Sequence, residues 1–505
     1  MNRATIEPHG QLITVTPANQ NALARRARSG AALRLSPGLY AVGATLPTEQ
    51  VARHHLYAIA AHYWPGAVLC GRTALAGGVP QEGFVFLAHP DPPRPTELRL
   101  PGLRVVPVVG PGPLPGDMSA PEGLTFSGPA RVLVENINLR GRPAQYRAGT
   151  VAVEDRIDEL ARSGGAGRIR TILSQLDVIA GSFDPAAVVA VRSRLSAVLG
   201  SFSEDFTAAS GRLAARLSGA PFDAHRIEML EGLASLLEGR SPRPVPAAPP
   251  TSRWEWLPFF EAYFSNFIEG TEFGVDEARR IAVEGVVPAG RSADAHDVSA
   301  TYRLAIDPID RSRTPASGQE LTEILKERHL ILMAARPDKR PGEFKEVLNF
   351  AGGYQFVEPE LVEGTLQRGF VVLDRLQGPF ARATAMMLLV TECHPFDDGN
   401  GRVARLTSNA ELSSAGEVRI VVPAISRNDY LAALSGMSAG AGRGESLCAV
   451  LEFLQRWTSA VDWTSYGEAN EIVAASNAYL EPGSAAYEGH RLEIPGAGSA
   501  AGSIP

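Results

Sequence analysis

Cysteine is scarce in this chain. The three present, Cys70, Cys393 and Cys448, do not stand at the paired spacing of a zinc site or a disulfide framework, so no redox or structural-metal role is expected for them. Apolar runs of about 18 residues are missing too, which excludes a helical membrane span. The opening MNRATIEPHGQL carries an acid, a proline and a glycine where a secretory signal needs unbroken apolar sequence. The expectation is a cytoplasmic protein with no membrane partner. Lysine is almost absent as well: Lys326, Lys339 and Lys345 stand against dozens of arginines, alongside abundant Ala, Gly and Pro. That bias points to a GC-rich bacterial genome. It also makes an arginine cluster weaker evidence of phosphate contact than usual, because arginine here does the work of lysine.

A chain of 505 residues exceeds what one hydrophobic core organises. The net charge of -7 is uneven, since residues 1–150 hold fourteen arginines against eight acids and the remainder carries the acidic excess. In TPANQNALARRARSG, Thr16 is placed as N-cap, Pro17 at the first helical position and Gly30 as the stop. The run ALRLSPGLYAV follows as a tight hairpin around Ser36-Pro37-Gly38, and GFVFLAH and GLRVVPVVG read as strands. From Val153 to Leu237 apolar residues recur three and four apart, the period of packed helices. Proline-rich Arg240–Arg253 reads as an extended linker. Beyond it FKEVLNFAGGYQFVEP predicts a hairpin turning at Gly352-Gly353, and PFARATAMMLLVTEC, apolar nearly all round, a buried helix. The tail PGAGSAAGSIP has nothing to pack and reads as disordered. There is no internal repeat.

The chemistry concentrates in HPFDDGNGRVAR, His394–Arg405. The buried helix delivers His394 to a loop, because Pro395 disfavours helical geometry at the residue before it. Phe396 can anchor that loop, while the glycines let backbone N–H groups converge on an anion. A helix from about Arg402 would point its free N–H groups and positive dipole end at the same anion. Arg402 and Arg405 share a helix face and can grip outer phosphate oxygens, and Asp398 suits a Mg²⁺ ion bridging the phosphates. These parts describe a nucleotide polyphosphate site with a base beside it. The chemistry is attack of a protein hydroxyl on phosphorus, with His394 taking the proton.

At every defined position the segment resembles the signature of Fic proteins, H-x-F-x-[D/E]-G-N-G-R-x-x-R. RPGEFKEVLNFAGGYQFVEPELV resembles that family's flap, which docks the target segment as an added strand, with Lys345 where the family has arginine. ISRNDYLAAL resembles its stretch after the motif. Over Trp254–Leu480 the resemblance implies an all-helical core that transfers AMP from ATP to a Ser, Thr or Tyr hydroxyl of a target protein. It makes His394 the base, Asp398 the Mg²⁺ ligand, Gly399, Asn400 and Gly401 the anion hole, and Arg402 and Arg405 the phosphate clamps.

Upstream, SNFIEG is similar to the Fic inhibitory pattern [S/T]-x-x-x-E-[G/N], with Ser265, Glu269 and Gly270 in the defined places. Four residues apart on a helix, Ser265 and Glu269 share a face. The resemblance implies that Glu269 pairs with Arg405, occupies the space of the ATP γ-phosphate and autoinhibits the enzyme. In some relatives the same glutamate supports hydrolytic removal of AMP, and the sequence leaves the direction open, together with the base of the nucleotide donor. Cys393 beside His394 is set aside as a nucleophile, since sequence neighbours seldom face each other.

The helix bearing Arg25, Arg26 and Arg28, the LRLSPGLYAV hairpin and WPGAVLCGRTAL resemble AbiEi-type antitoxins of type IV toxin-antitoxin systems, which join a winged-helix DNA-binding region to a second domain. Residues 1–15 do not supply the preceding helix of a complete winged helix-turn-helix. The reading is therefore multidomain. Residues 1–150 form an α+β, winged-helix-like, antitoxin-like module with DNA as a candidate partner, and residues 151–239 a helical segment. Residues 240–253 are the linker, 254–485 an all-α Fic domain with a small β-hairpin flap and an inhibitory helix, and 486–505 the tail. A DNA-binding regulator or antitoxin with a self-modifying Fic domain is the alternative, as is a Fic enzyme using another nucleotide. Self-association into a homo-oligomer is compatible with either. If the arginines of the N-terminal half meet phosphates, a mobility-shift assay on that half should show DNA binding that weakens steeply with salt. The absence of any shift at low salt would end the nucleic-acid reading.

Overall fold

The computed structural model describes residues 8–137, 144–200, 206–240, 245–246, 254–351, 353–438 and 444–496. The chain divides into two compact units, Met1–Gly219 and Ala220–Pro505.

The first unit opens with β1 (Gln11–Thr14), α1 (Gln20–Arg28), β2 (Ala32–Ser36) and β3 (Leu39–Val42). The three strands form an antiparallel sheet in the order β1-β3-β2. Gly38, at φ +82°, makes the β2–β3 turn, so the predicted hairpin is present. Helix α1 starts later than its sequence suggested. Asn19, not Thr16, is the N-cap residue, and its Oδ1 accepts from Thr16 N at 2.7 Å, so residues 16–19 close a turn ahead of the helix. Gly30 does stop it, at φ +76°. Because residues 11–14 are a strand, no helix stands before α1 among the described residues, and the full winged helix-turn-helix arrangement is not present there.

Next come α2 (Thr48–His54), α3 (Leu56–Tyr63), β4 (Val68–Leu69), α4 (Gly71–Leu75), β5 (Phe84–His89), β6 (Leu98–Leu100), β7 (Leu103–Val109), β8 (Met118–Ser119) and β9 (Thr125–Phe126). They build a six-stranded mixed sheet, β6-β7-β5-β4-β9-β8. The two strands legible in the sequence, β5 and β7, pair parallel as interior strands, and the continuous apolar run of β5 matches its four buried central residues. Helices α5 (Pro129–Asn136), α6 (Thr150–Ile179), α7 (Pro185–Val198) and α8 (Gly211–Leu217) complete the unit. Helix α6 is broken by Gly165, whose φ of 58° and ψ of -163° no helix shares.

The second unit is helical apart from one hairpin. It contains α9 (Ala224–Glu238), α10 (Leu257–Ile268), α11 (Val275–Glu284), α12 (Ser292–Ile306), α13 (Gly318–Leu332), β10 (Phe350–Ala351), β11 (Tyr354–Gln355), α14 (Val362–Asp374), α15 (Pro379–Cys393), α16 (Asn400–Ser414), α17 (Arg427–Ser438), α18 (Gly444–Ala460), α19 (Tyr466–Ala475) and α20 (Pro482–Glu488). The unit boundary differs from the sequence reading, which set α9 before the linker. Ile227, Leu230, Leu233, Ala234 and Leu237 of α9 are buried in the same core as α14 and α15. Asp223 caps α9, and its backbone N–H donates to Thr365 Oγ1 of α14 at 2.9 Å. An amphipathic stripe says that a helix packs, not against what. Most of the linker and the end of the tail, residues 497–505, lie outside the described residues, as does Gly352 of the predicted hairpin turn. Among the described residues no helix is long and apolar enough to cross a membrane.

Helix α15 is the axis of this unit, with twelve of its fifteen residues buried, and it packs against α14 and α16. An aromatic cluster at the other end locks α10 in place: Phe260 is fully buried, with ring centroids 5.0 Å from Phe259 and 5.2 Å from Trp463. Phe260→Ala should therefore cost about 3–5 kcal/mol, read as a lower urea midpoint for the second unit.

Candidate functional site

The site is the turn between α15 and α16. Helix α15 ends because His394 is left-handed, at φ 46° and ψ 59°, a conformation a non-glycine residue holds only when its surroundings impose it. The surroundings are explicit. Lys345 N donates to Pro395 O at 2.9 Å, and Asn349 Nδ2 donates to Phe396 O at 3.0 Å. Lys345 Nζ bridges Asn349 Oδ1 at 2.7 Å and Cys393 O at 3.3 Å. Phe396 is fully buried, and Asn400 bonds it from both sides: its Oδ1 accepts from Phe396 N and its Nδ2 donates to Phe396 O, each at 2.8 Å.

The His394 ring stacks on Phe356 with centroids 3.8 Å apart, and its Nδ1 lies 3.3 Å from Thr391 O. A carbonyl can only accept, so Nδ1 carries the hydrogen and the neutral ring keeps its lone pair on Nε2. Burial pulls the imidazole down to about 4, outweighing the backbone hydrogen bond and the nearby carboxylates. A neutral imidazole with a free Nε2 is a proton acceptor at neutral pH. His329 of α13 shows the opposite tautomer. Its Nδ1 accepts from Gly342 N at 3.0 Å, so its Nε2 donates to Asp398 O at 3.1 Å, and its ring stacks on Phe396 at 3.8 Å. Burial holds it at about 4 as well, so it supports the loop as a neutral group. Cys393 is fully buried, and burial pushes its thiol up to about 12, which leaves no thiolate to react.

Helix α16 begins at Asn400, two residues earlier than its sequence suggested, with Gly399 as N-cap at φ 73°. Asp398 is half-buried beside it, and its Oδ1 accepts from Gly399 N at 2.6 Å. Among the described residues no group of three or more His, Cys, Asp or Glu side chains could hold a metal ion. The donor set here, one carboxylate beside an anion-binding helix end, fits Mg²⁺ shared with phosphate oxygens rather than a cage made by the protein alone.

A carboxylate lies at that helix end. Gly270, at φ +86°, stops α10 at Glu269, whose Oε1 accepts from Arg405 Nη2 at 2.6 Å. A Cβ on Gly401 would collide with Glu269 Oε1, which places the carboxylate against the first turn of α16. Arg405 also donates from Nε to Ser265 Oγ and from Nη2 to Ser265 O, both at 2.9 Å. Burial opposes the charge of Arg405, but Glu269 and Tyr430 together more than offset this and hold its pKa above the ordinary value. The side chain of Arg405 is 6% exposed and that of Glu269 29%, so the pair is reachable from solvent through its acid.

Ser265, Glu269, Gly270, Gly401 and Arg405 thus come together, as do His394, Asp398, Gly399 and Asn400. Arg402 does not join the first group. It is buried beside Met333, its Nη1 lies 3.0 Å from Asp297 Oδ2 of α12, and Arg336 shares that carboxylate at 2.9 Å. Residues three apart diverge on a helix face by enough to reach different partners. The sequence reading also passed over Asn349, His329, Asp297 and Phe356, none of which has a local signal. It passed over Arg427 too, which donates from Nε to Ile268 O at 3.0 Å at the end of α10.

Residues 320–412 match the Fic/DOC family model. That segment is similar to Fic/DOC domains. The chain is similar to protein adenylyltransferase fic-1 of Caenorhabditis elegans, 27% identical over 191 residues that make up 36% of this chain and 37% of that protein. To protein adenylyltransferase Fic of Drosophila grimshawi it is 28% identical over 179 residues, 34% of this chain and 37% of that protein. The match thus spans little more than a third of these curated relatives. Among solved structures, Fic-1 of C. elegans aligns over 60% of this chain and 85% of its own at 17% identity, with a TM-score of 0.34. A Fic-domain signaling protein from Bacteroides thetaiotaomicron aligns over 48% and 97% at 19% identity, with a TM-score of 0.35.

The two depressed imidazoles make stability depend on pH. Below an ordinary pKa of about 6.5 the unfolded chain takes up their protons while the fold does not, so stability falls as pH drops from about 6.5 to about 4. Each imidazole should contribute roughly 1.4 kcal/mol per pH unit in that window. Urea unfolding of the second unit should show a shallower pH dependence in His394→Ala than in the parent protein. Equal slopes would mean that His394 titrates normally.

Proposed function

We propose that the Fic domain transfers AMP from ATP to a hydroxyl side chain of a target protein and is held inactive by its own Glu269. The observation that carries the reading is the Glu269 carboxylate against the first turn of α16, paired with Arg405. A helix N-terminus with a buried arginine beside it is built for an anion, and here the chain supplies its own.

In the reaction, His394 Nε2 takes the proton of the target hydroxyl. The hydroxyl oxygen bonds to the α-phosphorus, the bond to the β-phosphate oxygen breaks, and pyrophosphate leaves. Backbone N–H groups of Gly399, Asn400 and Gly401 bind phosphate oxygens, and Arg405 binds the outer phosphate once Glu269 has left it. Asp398 would hold a Mg²⁺ ion, which would supply charge neutralisation when bound. Arg402, fixed by Asp297, lends positive charge from within α16. Removing one member of a buried pair costs about 3–5 kcal/mol. The exposure of Glu269 puts this pair at or below the lower end, weak enough for a bound partner to displace it.

A second reading concerns the first unit. Arg25, Arg26 and Arg28 on α1 and Arg34 on β2 are exposed, and none makes an ion pair among the described residues. This favours phosphate contacts with nucleic acid, which would let that unit locate or regulate the transferase.

The test of transfer uses α-labelled ATP, Mg²⁺ and a bacterial lysate. Label should reach protein with Glu269→Gly and stay near background with the parent chain. In Glu269→Gly combined with His394→Ala it should fall about 10²-fold or more, the usual worth of a positioned base. If Glu269→Gly transfers no label, adenylylation from ATP is set aside in favour of another nucleotide donor or removal of AMP.

A further inference from the structure

A hairpin with two residues per strand is not stable by itself, so something must hold β10–β11 beside His394. The tether comes from α9. Arg226, in the first turn of that helix, donates from Nη2 to Gln355 O at 2.6 Å, and its Nε lies 3.1 Å from Glu392 Oε2. Its guanidinium carbon sits 4.9 Å from the centre of the Tyr354 ring. The Tyr354 hydroxyl donates to the same Glu392 oxygen at 2.6 Å, and Ser438 Oγ of α17 donates to Glu392 Oε1 at 2.5 Å. Arg226 and Glu392 are both nearly closed to solvent, with side chains 10% and 7% exposed. Glu392 lies two residues before His394 on α15, and Phe356, the residue after β11, is the one whose ring covers the His394 imidazole.

We infer that Arg226, acting with Glu392 and Tyr354, is a positioning residue: it fixes β11 and, through Phe356, the orientation of the His394 ring from which the proton is accepted. The inference deepens the transferase reading and rests on it for its kinetic consequence, while the tether itself is a statement about the hairpin. It makes α9 part of the catalytic machinery, although that helix precedes the proline-rich segment and lies outside the matched residues 320–412. Lysine cannot replace this arginine, because a single ammonium cannot reach the Gln355 carbonyl and the Glu392 carboxylate from two separate nitrogens while lying near the Tyr354 ring.

The experiment uses the full chain in the Glu269→Gly background, with Arg226→Ala, Arg226→Lys and Tyr354→Phe. Hydrogen exchange of residues 349–357 should quicken roughly tenfold or more in Arg226→Ala, while α10 and α16 exchange as before. With α-labelled ATP as the probe and a bacterial lysate as the source of target protein, the maximal rate of labelling should fall roughly tenfold or more, and half-saturating ATP should stay within about twofold. A folded Arg226→Ala whose hairpin exchanges at the parent rate overturns the inference. So does a joint loss of rate and ATP affinity, which marks a merely structural role. Should Arg226→Ala fail to fold, Tyr354→Phe removes one hydroxyl only and decides by the same exchange criterion. If Glu269→Gly labels no lysate protein, the transferase reading fails, and the exchange data still judge the tether.

Discussion

The site depends on one buried guanidinium. Arg405 cannot shed its charge, so wherever it is enclosed the fold must surround it with acceptors. Three of its contacts come from α10: the hydroxyl and carbonyl of Ser265 and the carboxylate of Glu269. The same demand that stabilises the cation joins α10 to α16 and fills the anion position at the helix end. Inhibition on this reading is not an added device. It is the local solution to burying an arginine that Ser265 and Tyr430 do not neutralise.

The histidine is governed by a different constraint. Its left-handed backbone and buried ring would be unfavourable in isolation, and they are stabilised by backbone and side-chain bonds from the segment that precedes the hairpin. Lys345 contributes from a position where burial lowers its ammonium to about 8, at the edge of its charged range. Enclosure of His394 by Phe356 and of His329 by Phe396 keeps both rings neutral, but hydrogen bonds assign them opposite tautomers. Only His394 therefore presents a free nitrogen at the site.

The supports of this centre are distributed through the chain. Helix α12 supplies Asp297 to Arg402, the segment after α16 supplies Arg427 to the end of α10, and α9 supplies Arg226 to the hairpin. Each is a charged group brought from a distant element to a partner beside the loop: a guanidinium for Asp297, a backbone carbonyl for Arg427 and for Arg226. The loop between α15 and α16 is short, but its surroundings draw on α9, α12 and Arg427.

The sequence by itself determined the parts that are contiguous or locally periodic. It placed the histidine at the end of an apolar helix, glycines and an acid at the next helix start, Ser265 and Glu269 on one face with a glycine stop, and the tight hairpin at Gly38. These follow from backbone sterics and helical period, which act within a few residues. The pairing of Glu269 with Arg405 was an expectation of the family resemblance, whereas tertiary structure alone decided that Arg402 turns to Asp297 of α12 instead of joining it. It also decided that α9 belongs to the second unit, that the strands of the first unit form a mixed six-stranded sheet, and that Thr16 yields the cap to Asn19. In each case the deciding contact joins groups whose separation in sequence carries no local signal, and only packing brings the partners together.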